Sequence, residues 1–374
     1  MTVRRSAAAR WALVAATAAV LCAVPSILAN LPVSGAEPAA GVLRQRIIDS
    51  VSQPYTGYAR SQAELGLPTL PDLGDVTGLL SGLTDMRVWY QAANQNRVDV
   101  VNAIGERDVY QTPGGVYTWD FGTNLLTEIV GNEPVRLPRA GDLVPPDLAR
   151  RILTMAPVDP VTSLPTRRIA GIDAAGMRLR PTDPATTVGQ VDIWADPASG
   201  LPMRVEVTAR GAATPILTTQ FLDFSRAAPS EDTLDPPIQA AGGVSRTEAP
   251  DILSALNGQV PRFPLPSVLG GYARAAAIAG LPSVGRYGTG LASFVVLPLP
   301  RDVASSAFDS MTKAGGTSVP ITRGRAVLIH IPLLTVMVEQ AGFGRRSYLV
   351  AGFVDQTVVS QVATGLDALR RVTG

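Results

Sequence analysis

The stretch VDIWADPASGLPMRVEVTARG, residues 191–211, decides the fold. Val191, Ile193 and Ala195 fall on one face of an extended chain, and Asp192 and Trp194 fall on the other. Asp196-Pro197-Ala198-Ser199-Gly200 supplies turn chemistry, and Met203, Val205 and Val207 then alternate with Arg204, Glu206 and Thr208 on the return. This is a β-hairpin with one wholly apolar face. It holds no nucleophile, metal-ligand set or phosphate loop, so its purpose lies in what the apolar face covers.

The same period of two runs along much of the chain. Strands are expected near 55–64, 85–92, 96–104, 107–111, 116–121 and 124–130, with Pro113-Gly114-Gly115 and Gly122-Thr123-Asn124 as turns. They resume at 167–171, 175–181, 189–195, 202–210 and 215–224, which predicts an antiparallel meander. Between the first two strands, residues 65–84 form a Gly/Leu/Pro-rich loop longer than a turn needs, a candidate flap. Helices are expected at Gly41–Val51 and at Pro145–Met155, where two prolines sit at the start and Leu148, Ile152 and Met155 share a face. Residues 228–243 read as a proline-rich linker, followed by helical signals at 249–257 and 266–279. From about Arg286 a smaller α+β unit is expected: a strand in GLASFVVLPLP, a loop, a strand in RGRAVLIHIP, a helix near 332–340, a strand in RRSYLVAGFVD and a closing helix. No internal repeat is present.

Composition narrows the function. The chain has 374 residues, of which 46% are hydrophobic, enough for a large β-rich domain with an appendage. A net charge of +1 gives no electrostatic footprint for nucleic acid. Lys313 is the sole lysine, a codon-composition effect rather than a functional one. There is one histidine, His330, in an apolar run that makes it a packed strand residue, and one cysteine, Cys22, in the leader. A His-ligated zinc site or a Ser-His-Asp triad would have to recruit that single histidine, and a disulfide has no second thiol. No catalytic residue, metal site or cofactor is assigned. Asp192 and Glu206 as an acidic hydrolytic pair lack anything to complete a site, and the glycines of GRYGTG, 285–290, lack a phosphate-binding frame.

Arg4, Arg5 and Arg10 precede an apolar stretch from Trp11 to Ala29, a charged region followed by a hydrophobic one. Residues 1–36 therefore read as a signal peptide cleaved near Ser34-Gly35-Ala36 or as an N-terminal anchor, with residues 11–29 touching the membrane if uncleaved. In both cases the remainder goes outside the cytoplasm. Leu21 stands before Cys22 where lipidation favours a small residue, so an incidental cysteine is the better reading.

The run DMRVWYQAANQNRVDVVNAIGERDVYQTPGGVYTWDFGTNLLTEIVG is similar to the first half of LolA-like domains, a group that includes LolB, LppX and RseB/MucB. MRLRPTDPATTVGQVDIWADPASGLPMRVEVTARG followed by TTQFLDFS resembles the same family more specifically, through its L-x-P strand, its W-x-D…GLP-x-R hairpin and its F-x-x-F strand. YGTGLASFVVLPLP and RRSYLVAGFVDQTVVSQVATGLDAL are similar to the small C-terminal domain of RseB/MucB, although Thr289-Gly290 stands where that family has Asp-Gly. A loop-and-helix insertion also separates its strands. The resemblance implies an α+β protein: a LolA-like unclosed antiparallel β half-barrel with capping helices, over residues 37–237, then linker and helices at 238–283, and a small RseB-like domain at 284–374.

It further implies a periplasmic or cell-envelope protein, non-enzymatic, holding a lipid or lipoprotein acyl chain in a hydrophobic cavity as carrier or envelope sensor. The alternative it implies is a negative regulator that binds a membrane anti-sigma factor and shields it from proteolysis; a transporter is the other partner. Cavity candidates are Trp89, Val98, Val100, Trp119, Phe121, Val191, Ile193, Met203, Val205 and Val207, although core packing is the safer reading for each tryptophan. Alternation leaves open which hairpin face lines the cavity. Arg87 and Arg97 are candidates for holding a headgroup or lid, against the plainer reading of solvated strand arginines.

Overall fold

The computed structural model describes residues 38–66, 74–102, 105–131, 138–248, 265–275, 284–342 and 346–369. The leader, with the apolar stretch 11–29, and the helical signal at 249–257 lie outside these residues. Among the described residues no helix is long and apolar enough to cross a membrane.

The decisive hairpin forms as its sequence dictates, from β9 (Val188–Ala195) and β10 (Pro202–Ala209), with Ile193 opposite Val205 and Val191 opposite Val207. Asp196 builds the turn: its Oδ1 accepts from the Ala198 amide at 3.1 Å and its Oδ2 from the Ser199 hydroxyl at 2.5 Å. Gly200 completes it at φ +74°, where a Cβ would stand 2.3 Å from the Arg46 carbonyl oxygen. Burial of Asp196 works against its charge, but the hydrogen bonds from Arg226, Ser199 and Ala198 prevail and hold its carboxyl below the usual range.

Around this hairpin the chain adds β1 (Tyr55–Ala63), β2 (Leu83–Ala92), β3 (Gln95–Asn102), β4 (Gly105–Thr112), β5 (Gly115–Asp120), β6 (Leu125–Val130), β7 (Val161–Ile169), β8 (Ile172–Leu179), β11 (Leu217–Ser225) and β12 (Gly243–Glu248). All twelve strands form one sheet in the order β12-β6-β5-β4-β3-β2-β1-β11-β10-β9-β8-β7. It is antiparallel except for β12, which joins β6 in parallel, and it does not close. The chain thus runs outward through β1–β6 and returns along the other side of β1.

Helices α1 (Ala40–Asp49) and α3 (Pro145–Met155) cover one face of the β7–β11 half, while α2 (Gly74–Leu80), inside the expected flap, sits beside β1 and β2. Leu43 and Ile47 from α1 and Ala149, Ile152 and Leu153 from α3 join Met177, Ile193, Met203, Val205 and Phe221 in one core. Each such side chain buried contributes roughly 1.5–3 kcal/mol, which is what holds two short helices to the sheet.

The second sheet orders its strands β15 (Gly285–Thr289), β16 (Ala292–Leu299), β20 (Ser347–Gly352), β19 (Leu334–Ala341), β18 (Gly324–Ile331) and β17 (Thr317–Val319). The closing helix α6 (Gln356–Asp367) packs Val358, Val359, Val362 and Leu366 onto one side of it. The other side carries α5 (Arg301–Lys313), through Phe308 and Met311. The two sheets meet at residues 183–188. Thr187 donates its amide to the Phe353 carbonyl (3.0 Å) and its hydroxyl to Leu333 (2.7 Å), and Tyr272 reaches Asp183 at 3.0 Å. Leu291, Ile331 and Leu333 join the core of the first sheet.

Four expectations are corrected. The expected helix near 332–340 is a turn followed by strand β19 (Leu334–Ala341): Val336 and Val338 are β-branched, and pairing on both sides with β18 and β20 overrides a pattern that suited either period. Residues 266–275 are not helical, because Gly270 and Gly271, at φ +54° and +82°, turn a two-residue hairpin that pairs β13 (Val268–Leu269) with β14 (Tyr272–Ala273). The expected loop after GLASFVVLPLP holds α5, whose Asp302 and Lys313 sit at the ends the helix dipole favours. The linker at 228–243 contains a helical turn, α4 (Glu231–Leu234), and leads into strand β12 of the large sheet.

Candidate functional site

In a sheet, residues directly opposite one another share a face. The face beneath α1 and α3 can therefore be followed across the whole sheet. From Val205 it passes through Thr219, Ser61, Thr84 and Met86 to Val100, and through Val88 to Val98, Val109 and Thr118. Val116 and Ile129, opposite one another on β5 and β6, continue it. At one end stand Asp120 and Arg107, 3.6 Å apart, with Leu125; at the other stand Asn96 and Gln111.

Cover over this face is uneven. Val191, Ile193, Met203, Val205 and Val207 are at most 6% exposed beneath the helices. The cover reaches β3, where the turn Ala140–Leu143 packs beside Val98. Beyond it Val100, Val109, Val116 and Ile129 are half-buried. One apolar surface thus runs from a filled core to a stretch that protein does not fully cover.

The sequence candidates separate accordingly. Val100 lies on the partly covered stretch, Val98 is buried at its edge, and the five hairpin residues lie on the same face inside the core. Trp89 and Trp119 are on the opposite face, beside Arg97 and Asp108 respectively, while Phe121 sits 62% exposed in the β5–β6 turn with its ring 5.6 Å from Trp119. Val109, Val116 and Ile129 were not singled out from the sequence. Their alternation was visible in DVYQT, GVYTWD and LLTEIV, but not the register that places them beside Val98 and Val100.

The opposite face is polar and closed by ion pairs. Asp192 is gripped by two bonds of 2.6 Å from Arg178, and Glu206 by Arg204 (2.6 Å) and Arg167 (3.3 Å). Neither carboxylate is left to act as an acid or base. Arg167 also stacks 4.0 Å over Trp194, whose indole N–H donates to the Pro165 carbonyl at 3.0 Å.

Farther along this face Arg97 lies between the rings of Trp89 and Tyr110, at 4.9 and 4.8 Å, and bonds both oxygens of Asp99 (2.6 and 2.7 Å) and one of Asp108 (2.9 Å). Burial is the main cause that pushes the Asp99 carboxyl up to about 7, with repulsion from Asp108 and Glu106 added and Arg97 opposing. The Asp108 carboxyl is raised for the same leading reason, as is the Tyr110 phenol. Arg87, the other arginine singled out, stands 3.7 Å from Glu106 at the edge of this cluster.

His330 lies on β18 with its side chain exposed rather than packed. The Thr335 hydroxyl donates to the Val354 carbonyl (2.6 Å), so it accepts from His330 Nδ1 (2.9 Å), and the neutral ring then carries its lone pair on Nε2. The cleft beside it, about 450 Å³, is lined by Gly66, Ala314, Gly315, Thr317, Leu328, Ile329, Ile331 and Gln356. Among the described residues that line it, none supplies a second acid, base or thiol.

These features define an open-sheet α+β protein with one face that continues from the core onto half-buried strands. No family model and no curated protein matches the chain. Among solved structures it is similar to the MucA/MucB complex of Pseudomonas aeruginosa, with 15% identity, a TM-score of 0.48, and 87% of this chain and 96% of that one covered. It is also similar to MucB alone (14%, TM-score 0.41, 87% and 96% covered). A LolA superfamily protein from Nitrosomonas europaea is similar over 54% of this chain and 99% of its own, with 12% identity and a TM-score of 0.25.

Proposed function

We propose that the protein is an extracytoplasmic, non-enzymatic binding protein of the LolA-like/RseB type. In this reading the large sheet is a half-barrel, and the acyl chain of a lipid or lipoprotein lies along Val98, Val100, Val109, Val116 and Ile129. The observation that carries it is the passage of one apolar face from complete burial at Val205 to half-burial at Val100, Val109, Val116 and Ile129. A stretch that extends the core but lacks protein cover gains by accepting an apolar ligand, at about 0.8 kcal/mol per CH₂ buried. Valines and threonines, without charge, suit a chain of variable length better than a headgroup. The leader places the domain outside the cytoplasm, and the ion-paired carboxylates leave no hydrolytic pair.

Native mass spectrometry of the whole chain purified from its own host, followed by lipid extraction, tests this. A bound species of lipid mass is expected, at least tenfold depleted in Val116→Asp, which places a charge on the stretch at a half-buried position and leaves the core intact. Protein free of lipid, taking up neither added lipid nor acylated peptide, would remove the reading. The alternative drawn from the RseB/MucB resemblance, a membrane anti-sigma factor as partner, would then be sought by co-purification.

A further inference from the structure

Asp99 and Asp108 face each other across β3 and β4, and they are 1% and 2% exposed. Two carboxylates so placed cannot both be charged without strong repulsion. Asp108 Oδ2 accepts from Arg97 and, at 3.4 Å, from Tyr110, whereas its Oδ1 is buried with no N–H or hydroxyl partner among the described residues. A proton carried by the pair, as a carboxyl–carboxyl hydrogen bond between Asp108 and Asp99, satisfies Oδ1.

Over this pair passes a strap. It starts at Arg226, tied to Asp196 at 2.7 Å, runs through α4, and ends where the Gly242 amide donates to the Asn124 carbonyl at 3.0 Å before β12. Its middle is fastened at two points: Leu234 is 2% exposed, and the Thr233 carbonyl lies 3.5 Å from Arg97 Nη1. The same guanidinium therefore serves the strap and both carboxylates.

We propose that Asp99 and Asp108 form a proton-operated latch, in which their shared proton leaves the pair one negative charge for Arg97 to balance and keeps the strap at Thr233–Leu234 seated, and loss of that proton releases the strap. The groups facing the pair are Arg87 and Trp89 from β2, Arg97 from β3, Glu106 and Tyr110 from β4, and Trp119 from β5. The strap adds Glu231, Asp232 and Asp235, all exposed. With the pair ionised, the buried carboxylates and Glu106 outnumber the charges of Arg97 and Arg87, and hydration of the pair requires the strap to lift. The latch is independent of what the apolar face binds.

The direction follows from linkage. Seated, Asp99 holds its proton up to about 7, whereas a hydrated aspartate loses it near pH 4. Seating thus takes up a proton between those values, so it is favoured at acid pH and weakens as pH rises, by up to about tenfold per unit, levelling off above 7.

Hydrogen–deuterium exchange of the whole protein at pH 5 to 8, corrected for intrinsic amide rates, tests the latch. The Thr233 and Asp235 amides, bonded to Ser230 and Glu231, are expected to lose protection at least tenfold between pH 5 and pH 8. Asp108→Asn, which removes one charge and donates from its amide, is expected to stay protected at pH 8 with a flat profile. Equal protection at both pH values in the wild type, or an unchanged pH dependence in Asp108→Asn, would overturn the latch. So would protection restored at pH 8 by calcium alone, since the cluster would then hold a cation. Should the variant not fold, carboxyl NMR of the wild type decides: titration of one aspartate near 7 supports the latch, and titration of both near 4 overturns it.

Discussion

Arg97→Ala is expected to destabilise the protein by about 3–5 kcal/mol, because it leaves buried carboxylates without their cation. Asp99 and Asp108 lose three bonds of 2.6–2.9 Å between them, and Trp89 and Tyr110 lose the guanidinium between their rings. The loss is expected to be smaller at pH 5 than at pH 8. In the wild type, burial already pushes Asp99 up to about 7, so at low pH much of the charge is absent before the arginine is removed. Urea unfolding at the two pH values measures both quantities. A cost below about 1 kcal/mol, the range of an exposed ion pair, would mean that the cluster is hydrated.

Val205→Asp should cost about 5 kcal/mol or more, enough to unfold a domain of ordinary stability. Val205 is 0% exposed, with Ile193 opposite on one side and Thr219 on the other. An aspartate there must be protonated against its ordinary pKa near 4, at about 4 kcal/mol at pH 7, and burial of the valine is forfeited besides. Little soluble protein and a lost cooperative transition in circular dichroism are expected. Stable Val205→Asp protein that has merely lost lipid would place the cavity under α1 and α3, not beyond them. Such a result would relocate the site to the hairpin itself.

The contrast between Val205 and Val116 shows where sequence reading stops. Turn chemistry at Asp196–Gly200, prolines before α3 and alternation in β9 and β10 are local, so the hairpin and its neighbours could be placed from residues alone. Which half of a continuous apolar face the helices cover depends on where α1 and α3 dock, and a period of two carries no record of that. Trp89 and Trp119 were candidates for their size, yet strand parity sets them on the face opposite Val98 and Val100. Separating them needs the register that sets Trp89 opposite Arg97 and Trp119 opposite Asp108, which alternation within one strand does not supply. The Asp99–Asp108 pair arises from the pairing register of β3 with β4, and α4 and β12 come from a stretch whose prolines read as linker. Helix α5 replaces an expected loop although its signal was local: Ala304, Phe308 and Met311 keep helical spacing between an acidic first turn and a basic last one.

An acyl chain lying on the stretch of β3–β6 beyond the helices would be within reach of a photoreactive group on the chain itself. Photo-crosslinking of the whole chain with a diazirine-bearing fatty acid, mapped by peptide mass spectrometry, tests it most directly. The account predicts adducts on peptides containing Val100, Val109, Val116 and Ile129, with labelling suppressed by unlabelled fatty acid and by Val116→Asp. Adducts confined to the Trp89–Trp119 face or to the cleft at His330, or no saturable labelling, would contradict it.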